Sequence, residues 1–551
     1  MIETVNSSRD SEPQSQTLES FLKGISDRFV YWALFAIAAY SLLRSSVYAW
    51  MKPFWFDEVL TYVVSRQGSP SAIWAALKQG VDGNPPTFYV LEHFASSLLP
   101  NEHVGYRLLS ILGFGCTMLC LFVFVKTRYG AQRALLCSSL LLITPLFTLY
   151  AEEARPYSIV AALIALATVC YQRVPRVAWT ACLGASLVLA ALLHYYTPLT
   201  LAPFFLAELA FIYFSRQIRF GVWLALALPL VPIAISWPRL MWMKHNWGPH
   251  FWAGAALSDV SAAYGNYFRV GSPWGMAICG LAILIMLAPL FFRAAVLKTD
   301  AASQPDQTSL AECVLIAGFV ALPLLGFTVA KGTHGPFVER YFLAAIFGIV
   351  ATAAFVLQRA SPKTLLGAAI LLSLAISSQE IGFWKALSSR QTVASMTAPL
   401  VELSDSSRFP DLPIVISDPG VFVEIWHYAP PTIFRRAVTL PDTQNAVSYS
   451  GIDTVDRIVL ALRPYGPPGI QDFYTFTAAH PKFLLYSDGS RTDWLPTRLV
   501  HEGYQLQLLS ASLHSGAYLV GPPKPQVTTT VSPQRSPASV STDATQSPHA
   551  N

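Results

Sequence analysis

Three short clusters in this 551-residue chain put ionisable side chains where they can act together: Asp57-Glu58, Glu152-Glu153-Ala154-Arg155-Pro156-Tyr157 and Glu339-Arg340-Tyr341. Adjacent carboxylates suit acid–base chemistry, because partial burial raises a carboxylate's pKa toward the range in which it moves protons near neutrality. Arg155 stands ahead of an apolar run opened by Pro156. A helix start there presents unpaired N–H groups to an anion, and the guanidinium adds a bidentate fork suited to phosphate. Arg340, beside Tyr341, repeats the pattern ahead of another run and is expected as a second phosphate contact, with Tyr157 in the same donor-phosphate set. Each cluster has a plainer alternative: Asp57 capping a helix with Glu58 at its positive end, Arg155 closing a turn with Glu152 or Glu153, and Arg340-Tyr341 snorkelling at an interface.

The elements that must hold these clusters are membrane helices. With 53% hydrophobic and 13% charged residues, against roughly 25% charged in an ordinary soluble protein, the chain is not a set of soluble domains. Apolar runs of about the ~20 residues that cross a bilayer recur from residue 29 to about residue 380. They begin near Phe29, Leu108, Ala134, Tyr157, Ala178, Leu199, Phe220, Trp274, Leu310, Tyr341 and Thr364, which predicts about eleven crossings. The expected organisation is a cytoplasmic tail over 1–28, a transmembrane domain over 29–385 with a first outer loop at 52–107, an extracytoplasmic α/β domain over 386–521, and a disordered tail over 522–551. The seven cysteines lie in or beside the apolar runs and form neither a disulfide framework nor a metal knuckle.

Lys126/Arg128/Arg133, Arg173/Arg176, Arg216/Arg219, Arg293/Lys298 and Arg359/Lys363 fall in alternate loops, which the positive-inside rule assigns to the cytoplasm. The net charge of +5 comes largely from these loops, so no nucleic-acid partner is needed to explain it. All three clusters then face the other side, as do His194, His334 and the aromatic loop 237–273. Ionisable groups gathered on one membrane face are costly and mark function. Within 52–107, Ser69-Pro70 and Gly80 bracket a short interfacial helix with Ile73, Ala76 and Leu77 on one face, and Asn84-Pro85-Pro86 opens a second with Phe88, Leu91 and Phe94/Ala95 together. In the last domain Leu412–Asp418, Arg457–Arg463, Lys482–Ser487, Tyr504–Leu509 and Tyr518–Val520 read as strands, with a helix over Gly420–Tyr428 and no Gly-rich phosphate loop.

Other polar residues are less specific. Arg44, inside the first run, reads as a snorkelling side chain. Trp237, Trp242, Trp247 and Trp252 suit sugar stacking or an interfacial aromatic belt. No His/Cys spacing resembles a zinc site, whereas Asp57 with Glu152 or Glu153 would offer oxygen ligands to Mg²⁺ or Mn²⁺; the sequence does not decide whether a cofactor is used.

Taken in order, Asp57-Glu58 after the first span, Gly83-Asn84-Pro85-Pro86, Tyr106-Arg107 opening the second span, Glu152–Tyr157 and Glu339-Arg340-Tyr341 resemble the GT-C glycosyltransferase superfamily. Within it they resemble the bacterial dolichyl-phosphate-mannose-protein mannosyltransferase-like group (glycosyltransferase family 39, lipid A aminoarabinose transferase-like) over residues 29–380. The resemblance implies an inner-membrane enzyme that moves a sugar from a polyprenyl-phosphate donor to an extracytoplasmic protein or envelope-lipid hydroxyl, usually with inversion. It makes Asp57 the acidic catalytic residue and Glu58 its partner. Asn84 stands where relatives often carry His or Lys, which shifts the donor-phosphate contact to Arg155, with Arg340 and Tyr157; Glu152, Glu153, Arg107, His194 and Tyr341 support the site. A transporter of a lipid-linked or anionic substrate, the competing class, would place ionisable groups at mid-bilayer and interrupted helices in matching halves, and no such repeat is evident.

Overall fold

The computed structural model describes residues 27–296, 307–387, 392–405, 408–409, 411–513 and 515–523, so Lys298 and most of the two expected tails lie outside the described residues. Among them six helices are long and apolar enough to cross a membrane: Arg28–Met51, Glu102–Tyr129, Thr197–Ser215, Phe220–Asn246, Ser272–Leu290 and Pro362–Leu387. Leu310–Val320 and Leu322–Thr333 form a seventh candidate bent by 57° at its break, and Ala131–Ile143, Tyr157–Tyr171, Val177–Leu193 and Ala345–Leu357 are shorter apolar helices. Every apolar run read from the sequence is occupied by one of these elements. The shortest have local causes: Ala131–Ser138 tightens into a 3₁₀ stretch, Ser139–Ile143, and stops before Pro145.

The helix Glu102–Tyr129 carries Arg107 near one end and Arg128 near the other, roughly 30 Å apart at 1.5 Å per residue. Around Arg128 the basic loops meet: Arg128 pairs with Glu312 at 2.6 Å, Arg133 donates to the Leu357 carbonyl at 2.8 Å, and Arg219 pairs with the buried Glu208. The chemistry-bearing residues gather at the Arg107 end.

Close helix packing fixes that end. A Cβ on Gly113 would stand 2.6 Å from the Ile159 nitrogen, so the helices Glu102–Tyr129 and Tyr157–Tyr171 touch backbone to backbone. Just above, Ser110 Oγ donates to the Arg155 carbonyl at 2.8 Å and Ser158 Oγ donates to the Ser110 carbonyl at 2.9 Å. The turn bearing Arg155 is therefore pinned to its neighbour at three successive levels.

In the first loop, Ser69 Oγ accepts the Ala72 N–H, Pro70 opens the helix Pro70–Gln79, and Gly80 ends it in the left-handed conformation at φ 95°. Ile73, Ala76 and Leu77 are its buried face, as expected. The next helix, Pro86–Ser96, is rotated from expectation: it buries Phe88, Tyr89, Glu92 and Ala95, and leaves Leu91 and Phe94 exposed. The helices Phe56–Ser65, Pro70–Gln79, Glu102–Tyr129 and Val177–Leu193 pack against it.

The C-terminal part is an α/β unit around a five-stranded sheet, β1 (Ile414–Ile416), β2 (Ala437–Val438), β3 (Phe483–Ser487), β4 (Gln505–Ala511) and β5 (Gly516–Gly521), in spatial order β2-β1-β3-β5-β4. β1 is parallel to β2 and β3, and β5 runs antiparallel to β3 and β4. Alternation buries both faces: Ile414, Ile416 and Leu484 join the core shared with the helical bundle, while Val415, Phe483 and Leu485 join a separate core on the far side. The run Arg457–Arg463, expected as a strand, is instead part of the helix Thr454–Leu462. Its buried residues Ile458, Val459 and Leu462 recur at helical spacing, and a short apolar run carries no signal that separates the two states.

Gly113→Val should lower stability by about 1–3 kcal/mol through overpacking, read by thermal denaturation of the purified protein. Gly367→Val, at a helix position with open space around its Cα, is the matched control and should change stability far less.

Candidate active site

The site begins with one buried ion pair. Glu58 and Arg107 are both fully buried; Arg107 Nε and Nη2 each donate to the Glu58 carboxylate at 2.7 Å. Arg107 also donates to the carbonyls of Ala49 (2.6 Å), Lys52 (2.7 Å) and Pro53 (3.1 Å), closing the end of the first span onto the second. Glu58 accepts the Ala154 N–H at 2.7 Å and the Trp55 N–H at 3.3 Å. Burial opposes its charge, yet Arg107 and Lys52 hold the Glu58 carboxyl below the ordinary range. Glu58 is thus turned away from Asp57 and its oxygens are occupied.

Because Glu58 grips Ala154, the residues next to each are brought together. Arg155 Nη2 lies 3.7 Å from Asp57 Oδ2, and Arg340 Nη2 lies 3.7 Å from the same oxygen. Arg155 takes a second carboxylate, Asp82, at 2.6 Å and 3.3 Å, and donates to Thr61 Oγ1 at 3.2 Å and to the Asp57 carbonyl at 3.1 Å. Its guanidinium pairs with neither Glu152 nor Glu153, and only its backbone N–H, donating to the Glu153 carbonyl at 2.8 Å, closes the turn. Those two face other cations: Glu152 pairs with Arg44, and Glu153 with Lys52 at 3.2 Å. Burial raises the Glu153 carboxyl against the pull of Lys52. Arg44 does not snorkel either; it is buried between Glu152 and Glu380 with its guanidinium over Phe383. An interior carboxylate on each side costs less to satisfy in place than the loss of both pairs would.

Asp57 is the exception among these carboxylates. Its helix, Phe56–Ser65, starts one residue earlier, so Asp57 sits in the first turn and is not the cap. Among the described residues its carboxylate accepts no hydrogen bond, and 18% of its side chain stays exposed. Burial raises its pKa, with Asp82 and Glu58 adding to the rise and Arg155 and Arg340 opposing it. Among the described residues the Nε atoms of Arg155 and Arg340 and Nδ2 of Asn84 are buried donors without a partner, an arrangement that suits an acceptor-rich ligand.

A small cavity is lined by Arg340, Tyr157, His194, Thr197, Thr200 and Tyr341 and by the apolar Val160, Ala161, Ile164, Leu343 and Ala344. Tyr341 packs on Tyr196 (ring centroids 4.2 Å apart) and on His194 (5.0 Å). Burial, with Arg155 and Arg340 nearby, drops the His194 pKa to about 3, so its imidazole is neutral. Asn84 is buried at the loop end. His334 and Glu339 stand apart: His334 is exposed, and Glu339 bonds Asn266 at 2.6 Å. Trp247 packs over Gly83, Trp242 covers Gly80 and the Arg239 guanidinium, Trp252 faces Arg340, and Trp237 is exposed.

Sequence reading missed Asp82 and Arg239. Asp82 immediately precedes the Gly83-Asn84 turn that was singled out, and its charge was the available signal. Arg239 is buried within Phe220–Asn246, donates to the Asp82 carbonyl at 3.3 Å and has no carboxylate partner among the described residues; an arginine inside an apolar span was the clue.

Asp57 with Glu152 or Glu153 does not fit Mg²⁺ or Mn²⁺. Asp57 lies between two guanidiniums and the other two are paired elsewhere, and no group of three His, Cys, Asp or Glu side chains among the described residues could hold an ion.

No protein-family model matches the sequence, and no curated protein does. The structure is similar to that of ArnT from Cupriavidus metallidurans bound to undecaprenyl phosphate, at TM-score 0.51 and 11% identity over 88% of this chain and 97% of that one. It also matches the Archaeoglobus fulgidus oligosaccharyltransferase tethered to an acceptor peptide, at TM-score 0.42 and 10% identity over 87% of this chain and 74% of that one. The first likeness gives the fold, a polytopic GT-C membrane fold.

Asp82→Ala should cost about 3–5 kcal/mol, because it leaves the buried Arg155 without its closest partner. Asp57→Ala, which removes no hydrogen bond, should cost less than about 1 kcal/mol. Thermal unfolding of the two purified variants checks the contrast; equal losses would contradict it.

Proposed function

We propose that this chain is an integral membrane glycosyltransferase. It moves a sugar from a polyprenyl-phosphate donor to a hydroxyl of an extracytoplasmic protein or envelope glycolipid, with inversion at the anomeric carbon. The observation that carries the reading is Asp57, a carboxylate that accepts no hydrogen bond among the described residues, held between two guanidiniums, one of which, Arg340, also lines a cavity with both polar and apolar walls. A lipid-linked phosphate has that same division of character. The protein similar in fold is described bound to undecaprenyl phosphate.

In this reading the acceptor oxygen attacks the anomeric carbon as the bond from that carbon to the phosphate oxygen breaks. The acceptor proton passes to Asp57. Negative charge gathers on the departing polyprenyl phosphate, where Arg340 and Arg155 stabilise it without reorganising, since neighbouring carboxylates already fix their positions. Asn84 and the cavity-lining Tyr157 and Tyr341 complete the donor pocket. Glu58 and Arg107 act by positioning. The basic loops gathered at the opposite end of the bundle support an inner-membrane orientation with the N-terminus cytoplasmic and the C-terminal domain outside. A transporter reading draws less support, because the ionisable groups assemble at one end of the bundle and not at its middle.

Asp57→Asn should lower sugar transfer by about 10²–10⁴-fold, measured in membranes supplied with a polyprenyl-phosphate-sugar pool; transfer at the wild-type rate would refute the base assignment. The base must be ionised and its pKa is raised, so wild-type activity should rise with pH through a limb lying above the ordinary aspartate value of about 4.

A further inference from the structure

A helix start leaves N–H groups without intrahelical partners, and the helix that carries Asp57 begins after Trp55, whose indole can donate but not accept. The missing acceptor comes from the other end of the chain. Phe56 N–H donates to Glu424 Oε1 at 2.7 Å, across 368 residues of sequence. Two residues earlier, Phe54 N–H donates to Tyr428 Oη at 2.6 Å, and that oxygen lies 2.9 Å from His103 Nε2. Trp55 N–H, between them, goes to Glu58. Of the three successive N–H groups ahead of Asp57, two are therefore held by the helix Pro419–Tyr428 of the C-terminal domain. The domain also reaches the far rim of the site, where the His250 carbonyl accepts Thr454 Oγ1 at 3.3 Å, two residues before the Trp252 that faces Arg340.

We propose that the C-terminal domain completes the catalytic centre through Glu424, a positioning residue that caps the helix Phe56–Ser65 and holds Asp57 at its working place. This rests on the base role of Asp57 proposed above. Misplacing a reacting group by about 1 Å can cost 10²-fold, so a cap of this kind bears on rate more than on donor binding. Burial carries the Glu424 carboxyl up to about 7, against the pull of the Phe56 N–H. Either protonation state keeps an oxygen that accepts, and so does the amide of glutamine.

The test compares the full chain in lipid nanodiscs as wild type, Glu424→Ala and Glu424→Gln. Its readouts are turnover, binding of undecaprenyl phosphate, and amide hydrogen exchange over residues 53–60. Glu424→Ala should lose about tenfold in turnover and lose exchange protection in that segment, with undecaprenyl phosphate affinity within twofold of wild type. Glu424→Gln should restore both losses. Wild-type protection and turnover in Glu424→Ala, or a Glu424→Gln variant as impaired as Glu424→Ala, would overturn the proposal. Because exchange reads the cap itself, its loss in Ala and recovery in Gln support the clamp even where the wild type transfers no sugar, a result that counts against glycosyl transfer alone.

Discussion

One buried pair, Glu58 with Arg107, is the constraint on which the rest of the site depends. Neither side chain is solvent-exposed, and their hydrogen bonds reach the end of the first span at Ala49, the following loop at Lys52 and Pro53, the second span through Arg107 itself, and the turn at Ala154. A buried ion pair is weak evidence for stability, since desolvation consumes most of the attraction. Its value lies in geometry. Three stretches distant in sequence, 49–58, Arg107 and Ala154, are fixed at one point, and the neighbours of two of the partners, Asp57 and Arg155, must then face each other.

From that point charges alternate outward. Arg340, Asp57, Arg155 and Asp82 form a row in which each cation is next to a carboxylate, and Arg239 follows against the Asp82 backbone. Such a row fixes guanidiniums without exhausting them: Arg155 and Arg340 each keep a buried Nε with no acceptor among the described residues. It also leaves Asp57 with electrostatic neighbours but no bonded one. A group held by charge alone can give its oxygen to a substrate without first breaking a hydrogen bond, whereas Glu58 and Asp82, with both oxygens bonded, cannot.

Much of this was legible in the sequence, because it depends on local signals. Apolar length located the membrane elements, Ser69-Pro70 and Gly80 bracketed a helix that forms as read, and alternating basic loops put Asp57, Arg155, Arg340 and His194 at one end of the bundle. What escaped was pairing over long separations. Arg44 carries no mark of its partners Glu152 and Glu380, and Arg155 no mark that it takes Asp82 in place of the nearer Glu152. Glu424 lies in an ordinary amphipathic helix, and only the fold brings it to Phe56. The misread strand at Arg457–Arg463 is of another kind: a five-residue apolar run fits either period, and tertiary contacts decided it.

The central claim is that Asp57, Arg155 and Arg340 converge on one lipid-phosphate site. Determining the structure of the full chain with undecaprenyl phosphate bound tests it most directly. The account predicts the phosphate within hydrogen-bond distance, about 3 Å, of the Arg155 or Arg340 guanidinium, with the prenyl chain entering between Val160, Ile164 and Leu343 and the Asp57 carboxylate still unbonded. A phosphate bound at the Arg128 end of the bundle, or out of reach of both guanidiniums, would contradict it.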